Sequence, residues 1–258
     1  MVSTEDSPFL SRFFQKFQPR PTDNLQTVVS NLCAGWTEAL SSMDSYRCIR
    51  HPINLYAHPP QRGSHLSSAE GGLTAGTIFL IAGPSGSGKT TLTQELVRRV
   101  PGLTKAVTVT TRQPRPGEIS GVDYHFVSTE HFREMQQSGE LIESDFAYNE
   151  HYGVPRTTLD MAGDIAIIIT VDGALTLRRQ VANTLGLFIL PTCPEAASVR
   201  VAARKCPNEE FRIAGYEAEV LAARHFDYVI LNLDFKQSLC QMEKIVLARR
   251  QPLVLERG

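Results

Sequence analysis

Apolar positions in the first 45 residues recur at helical spacing. Phe9, Leu10, Phe13, Phe14 and Phe17 fall on one face, and Leu25, Val28, Val29, Leu32, Trp36 and Leu40 form a second stripe, predicting two amphipathic helices. Between 58 and 76 the periodicity gives way to His58-Pro59-Pro60-Gln61-Arg62-Gly63-Ser64 and Ser67-Ser68-Ala69-Glu70-Gly71-Gly72, the composition of a linker. Downstream, short apolar runs alternate with helix-length stretches, which predicts strands at 77–82, 106–111, 165–171, 186–190 and 227–231. Helices are expected at 89–100, 129–138, 173–184 and 234–249. Runs such as Ile165-Ala166-Ile167-Ile168-Ile169 carry no polar face, as befits strands covered on both sides. The expected fold class is therefore α/β, a parallel sheet flanked by helices. Regular alternation breaks at 118–154, where short strands at 124–127 and 141–146 surround one helix and form an inserted mixed α/β subdomain beginning near 110. The chain divides into an N-terminal extension, 1–75, and a domain, 76–258.

Composition narrows the partners. Among 258 residues, 26 Lys and Arg face 27 Asp and Glu, a net charge of −1, so no global basic field exists to hold nucleic acid or an anionic membrane. No apolar run is long enough to span a membrane. The N-terminus lacks an apolar signal core, and Glu5 and Asp6 argue against a transit peptide. Five cysteines, odd in number and outside any CxxC pair, suit reduced thiols and a cytoplasmic location. Cys33, Cys48, His51 and His58 fit no common zinc spacing. The two helices within residues 1–45 carry no assigned chemistry. They dock on the main domain or a twin subunit in one reading, and on a partner or a membrane surface in the other.

Chemistry begins after the first strand, with Gly83-Pro84-Ser85-Gly86-Ser87-Gly88-Lys89-Thr90-Thr91-Leu92. Glycines at 83, 86 and 88 let successive backbone N–H groups curl around an anion. Lys89 adds a positive charge toward the β- and γ-phosphates, Thr90 offers a hydroxyl to Mg²⁺, and the following helix presents its positive end. Strand, loop and helix in this order form a phosphate-binding loop, and the ligand is a nucleoside triphosphate. Motors, switches and kinases all share that property, so this loop alone leaves the reaction open.

A second stretch supplies an acceptor. Thr108-Val109-Thr110-Thr111-Arg112-Gln113-Pro114-Arg115-Pro116-Gly117-Glu118 places two arginines three apart at a strand end. Together they can grip a phosphate dianion with forked hydrogen bonds, Glu118 can orient an arginine, and Tyr124 can donate its hydroxyl. Standing alone, the same stretch could be a solvated basic loop.

In order and spacing, GPSGSGKTTL, TTRQPRPGE, GVDYHFVS, Gly139-Glu140-Leu141-Ile142-Glu143 and Tyr152-Gly153 resemble the guanylate kinases over roughly residues 77–250. The resemblance implies a P-loop kinase whose insert, about 110–154, binds the nucleoside monophosphate and whose short lid spans about 204–212. ATP with Mg²⁺ would donate its γ-phosphoryl group to GMP, giving ADP and GDP. Residues Gly83 to Thr91 would hold ATP. Arg112, Arg115, Tyr124, Tyr152 and Thr108 would hold the GMP phosphate, with Glu118 beside them, and Glu143 would take the N1–H and 2-amino edge of guanine. Lys89, Arg112, Arg115 and the lid arginines Arg204 and Arg212 would share the charge of the transferring group.

Departures from the family pattern leave specific questions. Lys205 stands where a glycine follows the first lid arginine, and the lid piece 206–211 is shorter than usual. Val154 replaces a hydroxyl that would touch the guanine carbonyl. At Ile169-Thr170-Val171-Asp172-Gly173 the family's acid-rich strand end is reduced to Asp172, which either serves the metal or caps the next helix. Two alternatives therefore stay open: a kinase of this fold acting on another phosphate, such as a ribose bisphosphate, and a guanylate kinase-like interaction module without turnover.

Overall fold

The computed structural model describes residues 76–191, 219–220 and 222–250. The expected helices and linker of 1–75, Arg204, Arg212 and the lid lie outside the described residues.

Among the described residues, nine strands fall into two sheets. The larger takes β1 (Ile78–Ala82), β2 (Leu103–Lys105), β7 (Asp164–Ile168), β8 (Thr184–Pro191) and β9 (Tyr228–Asn232) in the order β2-β7-β1-β8-β9, every pair parallel. Alternation along β1 explains the layering. Ile78, Leu80 and Ala82 join one hydrophobic cluster, whereas Phe79 and Ile81 join the other. The first cluster is closed by Ala174 and Leu177 of α3 (Val171–Gln180); the second is closed by Leu92 and Leu96 of α1 (Lys89–Arg99) and by Leu239, Met242 and Ile245 of α4 (Phe235–Arg250). A strand covered on both faces has no polar side to show, hence the unbroken apolar runs.

The second sheet, order β4-β3-β6-β5, is mixed and belongs to the insert: β3 (Thr108–Thr110), β4 (Tyr124–Phe126), β5 (Leu141–Ala147) and β6 (Glu150–Pro155). Helix α2 (Thr129–Ser138) buries Phe132 against Val109 and Leu141. Its ends match its sequence, since Ser128 accepts a hydrogen bond from the His131 amide at one end and Gly139 turns left-handed (φ 75°) at the other.

Several boundaries differ from expectation. The strand foreseen at 106–111 is β3 alone, paired with β4 and β6, while β2, just before it and paired with β7, was not foreseen, so the chain crosses between layers at Ala106-Val107. The helix foreseen at 173–184 starts at Val171, because the Thr170 hydroxyl accepts the Gly173 amide at 3.1 Å and caps it. It ends at Gln180, where Asn183 turns left-handed (φ 58°) and Thr184 already pairs with Ile78. β7 accordingly stops at Ile168 rather than running to 171. β6 went unforeseen because Glu150, His151 and Gly153 break any apolar run, although only two residues separate it from its hairpin partner β5.

Candidate active site

Polar groups from both sheets meet in one open cleft. It opens where β1 ends in the glycine-rich loop and where β7 has just ended at Ile168 and Ile169. Gly83, Ser85, Gly86, Gly88, Lys89 and Thr90 line it from the loop. Two glycines there cannot be replaced. At Gly83 (φ 135°) a Cβ would lie 2.2 Å from the Ile189 carbonyl oxygen, and at Gly88 (φ 94°) 2.6 Å from the Asn232 amide nitrogen. Lys89 Nζ donates to the carbonyls of Gly83 at 2.6 Å and Pro84 at 2.9 Å, which anchors the ammonium in the loop's curl. Gly88 precedes α1, and no side chain caps that helix end among the described residues, so its first amides face the cleft. Pro84, Ser87 and Thr91 do not line the cleft: Pro84 and Ser87 are buried in the loop and Thr91 is exposed on α1.

One supporting residue was not read from the sequence. Asn232, closing β9, donates its amide to the Ser87 carbonyl at 2.8 Å and fixes the loop from behind. An amide at the end of an apolar strand was its only signal. Asn232→Ala removes a buried hydrogen bond worth about 1 kcal/mol, and the expected result is a several-fold rise in KM for the triphosphate with little change for the acceptor, measured by steady-state kinetics.

The insert supplies the other wall through Thr108, Arg112, Arg115, Tyr124, Tyr152 and Glu143, all of which line the cleft. Arg112 is 5% exposed and pairs fork to fork with Glu118, at 2.8 and 3.0 Å, while its guanidinium lies 5.2 Å from the Tyr124 ring centre. Burial pulls the Arg112 pKa down, but the bonds and charge of Glu118 outweigh it and leave the group above its ordinary value. Burial pushes the Glu118 carboxyl up, and the Arg112 bonds with the Arg115 amide bring it below its ordinary 4.5. Glu118 therefore orients Arg112 and itself stands outside the cleft lining. Arg115 lines the cleft, and its Nε is buried with no hydrogen-bond partner among the described residues.

Glu143 reaches the cleft through an irregularity. The register of β5 on β6 shifts between Leu141 and Glu143, so Leu141 packs on Phe132 near α2 while Ile142 packs on the α3 side. Glu143 follows onto that side, 4% exposed, with one carboxyl oxygen so near Gly173 that a Cβ there would lie 2.7 Å from it. Burial first, then the Asp145 charge, push its pKa up to about 8. Opposite Glu143 in the register sits Val154, 1% exposed, packed in the main cluster and also lining the cleft.

Asp172 does not join this site. It is exposed on the first turn of α3 and absent from the cleft lining, whereas Thr170, two residues earlier, caps the helix and faces the cleft. Tyr148 is a further lining residue, at the β5–β6 turn, where it and Asn149 adopt left-handed backbone (φ 55° and 61°) and its hydroxyl donates to Glu219. Among the described residues no group of three or more acidic, histidine or cysteine side chains could hold a metal. Thr90, near the start of α1, lines the cleft.

A family model for guanylate kinase matches residues 75–249. A guanylate kinase of Idiomarina loihiensis is 36% identical over 187 residues, 69% of this chain and 89% of that protein. One of Rickettsia prowazekii is 32% identical over 182 residues, 68% of this chain and 92% of its own length. Among solved structures, the crystal structure of guanylate kinase from Anaplasma phagocytophilum superposes with a TM-score of 0.60 at 28% identity, covering 69% of this chain and 88% of that one.

Proposed function

Because this chain belongs to the guanylate kinase family, we propose that the cleft between its two sheets is where the γ-phosphoryl group of ATP passes to GMP, giving ADP and GDP. The observation that carries this assignment of residues is the meeting of a glycine-rich phosphate loop with Arg112, Arg115, Tyr124 and Glu143 around one cleft. The loop amides and Lys89 hold the β- and γ-phosphates. Arg112, aimed by Glu118, and Arg115 grip the GMP phosphate, with the hydroxyls of Thr108, Tyr124 and Tyr152 beside them. Two polyanions that repel in water are thereby neutralised and aligned, which is most of what phosphoryl transfer asks of a protein. Arg204 and Arg212 belong to this reading as the lid's contribution of charge.

The donor set at Thr90 suits Mg²⁺, which takes few protein ligands and leaves its remaining positions to phosphate oxygens and water. Bound there with ATP, it would neutralise charge on the β- and γ-oxygens. Base selection rests on Glu143, whose two oxygens match the N1–H and 2-amino donors of guanine, since Val154 offers no hydrogen bond to the guanine carbonyl. The reading places the enzyme in the cytoplasm, where cysteines that are odd in number and outside any CxxC motif stay reduced; no helix among the described residues is long and apolar enough to cross a membrane.

An acceptor panel tests the assignment. ADP release is expected with GMP and far less with AMP, UMP or a ribose bisphosphate; equal rates with GMP and AMP would sink the guanine reading. Glu143→Ala should raise KM for GMP about tenfold or more, the cost of losing a charged hydrogen-bond partner, and leave KM for ATP nearly unchanged. Equal rises in both would remove Glu143 from the base site.

A further inference from the structure

Glu143 and Asp145 project from one face of β5, because the strand's two-residue period returns at Asp145 to the side onto which the bulge turned Glu143. Between them, Ser144 points the other way and accepts a hydrogen bond from Gln136 of α2. The two carboxyls are served unequally. Asp145 Oδ2 accepts the Thr170 hydroxyl at 2.6 Å and Oδ1 accepts the Phe146 amide at 2.8 Å, and both bonds favour a charged carboxylate. Glu143 Oε1 is buried with no hydrogen-bond partner among the described residues. A buried carboxyl without bonds, beside a neighbour's charge, holds its proton more tightly than one in water. The upward displacement of the Glu143 carboxyl, to which Asp145 contributes after burial, agrees with that.

The proton changes what Glu143 can recognise. Ionised, it presents two acceptors, which complement the N1–H and 2-amino donors of guanine. Protonated, it presents one donor beside one acceptor, which complements the N1 acceptor and 6-amino donor of adenine. Building on the assignment of Glu143 to the base edge, we propose that Asp145, clamped by Thr170, is a specificity-determining positioning residue that sets the pH at which GMP is preferred over AMP. Thr170 thus has two partners: its oxygen accepts the Gly173 amide at the start of α3, and its hydroxyl proton goes to Asp145. The other charged or titratable groups lining the cleft are Lys89 of the loop, Arg112, Arg115 and Tyr124 of the acceptor segment, and Tyr148 and Tyr152 of the β5–β6 hairpin. On α3, Asp172 is exposed and outside the lining. Lysine and arginine charges act on the phosphates of GMP and AMP alike and cancel in the ratio of the two nucleotides.

The test measures kcat/KM for GMP and for AMP between pH 6 and 8.5 on the full chain. In the unaltered protein the GMP-to-AMP ratio should climb by up to about tenfold per pH unit across this range. Asp145→Asn keeps the shape and removes the charge, so the profile should move to lower pH and the ratio at pH 6.5 should rise several-fold. Thr170→Ala should move it the same way by less, and Thr170→Ser, which restores the hydroxyl, should return the original profile. If Asp145→Asn does not melt cooperatively, Asp145→Ser is read in its place. A profile of the Asp145 variant that superimposes on the unaltered one overturns the inference and leaves the base assignment standing. Glu143→Gln should flatten the ratio; a slope that survives in Glu143→Gln overturns both.

Discussion

Replacing Lys89 by alanine lowers kcat for transfer from ATP to GMP by about 10³-fold, the scale of losing a positioned cation on the transferring group, and leaves the melting temperature nearly unchanged. The two halves of that expectation have separate origins. Lys89 opens α1, where alanine is the better helix former, and the side chain is only partly buried. Its removal therefore leaves no cavity in either hydrophobic cluster. The chemical loss is large because the ammonium is aimed: the carbonyls of Gly83 and Pro84 hold it inside the loop's curl. A charge fixed before the substrate arrives needs no reorganisation during transfer. Steady-state kinetics with a coupled ADP assay, alongside calorimetric melting, checks both halves. Turnover above about a tenth of the original would remove Lys89 from the mechanism, because a group worth under about 1.4 kcal/mol carries no main share of the barrier.

Arg112→Ala should lower kcat/KM for GMP by about 10²- to 10³-fold, as expected for a charge-assisted fork lost from a partly buried site, with KM for ATP little changed. Stability should fall as well, unlike with Lys89. Arg112 is 5% exposed, and its removal leaves the half-buried Glu118 carboxylate with the Arg115 amide as its main short contact. The penalty is about 1–3 kcal/mol for an ion that loses its partner. Its pH dependence has a definite sign. Glu118 titrates below its ordinary 4.5 in the folded protein, so the stability it lends is fully present above 4.5 and disappears as the pH falls through the folded value. The difference in melting temperature between the unaltered chain and Arg112→Ala should accordingly be full at pH 7 and shrink on acidification below 4.5. Arg112→Lys should rescue neither property, because a point charge cannot form two parallel bonds to Glu118 while facing a phosphate. A lysine variant with normal GMP kinetics would show that only the charge matters.

Much of the site was readable because it is local. The segment 83–90 runs from the end of β1 into α1 in eight consecutive positions, so glycine, lysine and hydroxyl spacing states its geometry directly. Arg112, Arg115 and Glu118 span seven residues and fold on one another. Asp172 shows how such reading fails. An acid before a glycine at a strand end looks like a ligand or a cap, yet the helix begins two residues earlier than expected because Thr170 already satisfies the Gly173 amide. Capping is a competition between neighbouring side chains, and spacing alone does not decide which hydroxyl or carboxylate wins.

By itself the chain determined the α/β alternation, the phosphate loop, the acceptor arginines and the family they resemble, since each depends on contacts within a turn or two. Tertiary structure decided what depends on contacts distant in sequence: that 103–110 splits between two sheets, that Asn232 braces a loop some 145 positions away, and that a one-residue bulge turns Glu143 toward α3. Strand register is set by which partner arrives and by what the opposite face must bury, and a shift of one residue sends a side chain to the other side of the sheet. The carboxylate expected to read guanine was visible as a letter, but its burial, its proton and its companion Asp145 exist only after β5, β6 and α3 have packed.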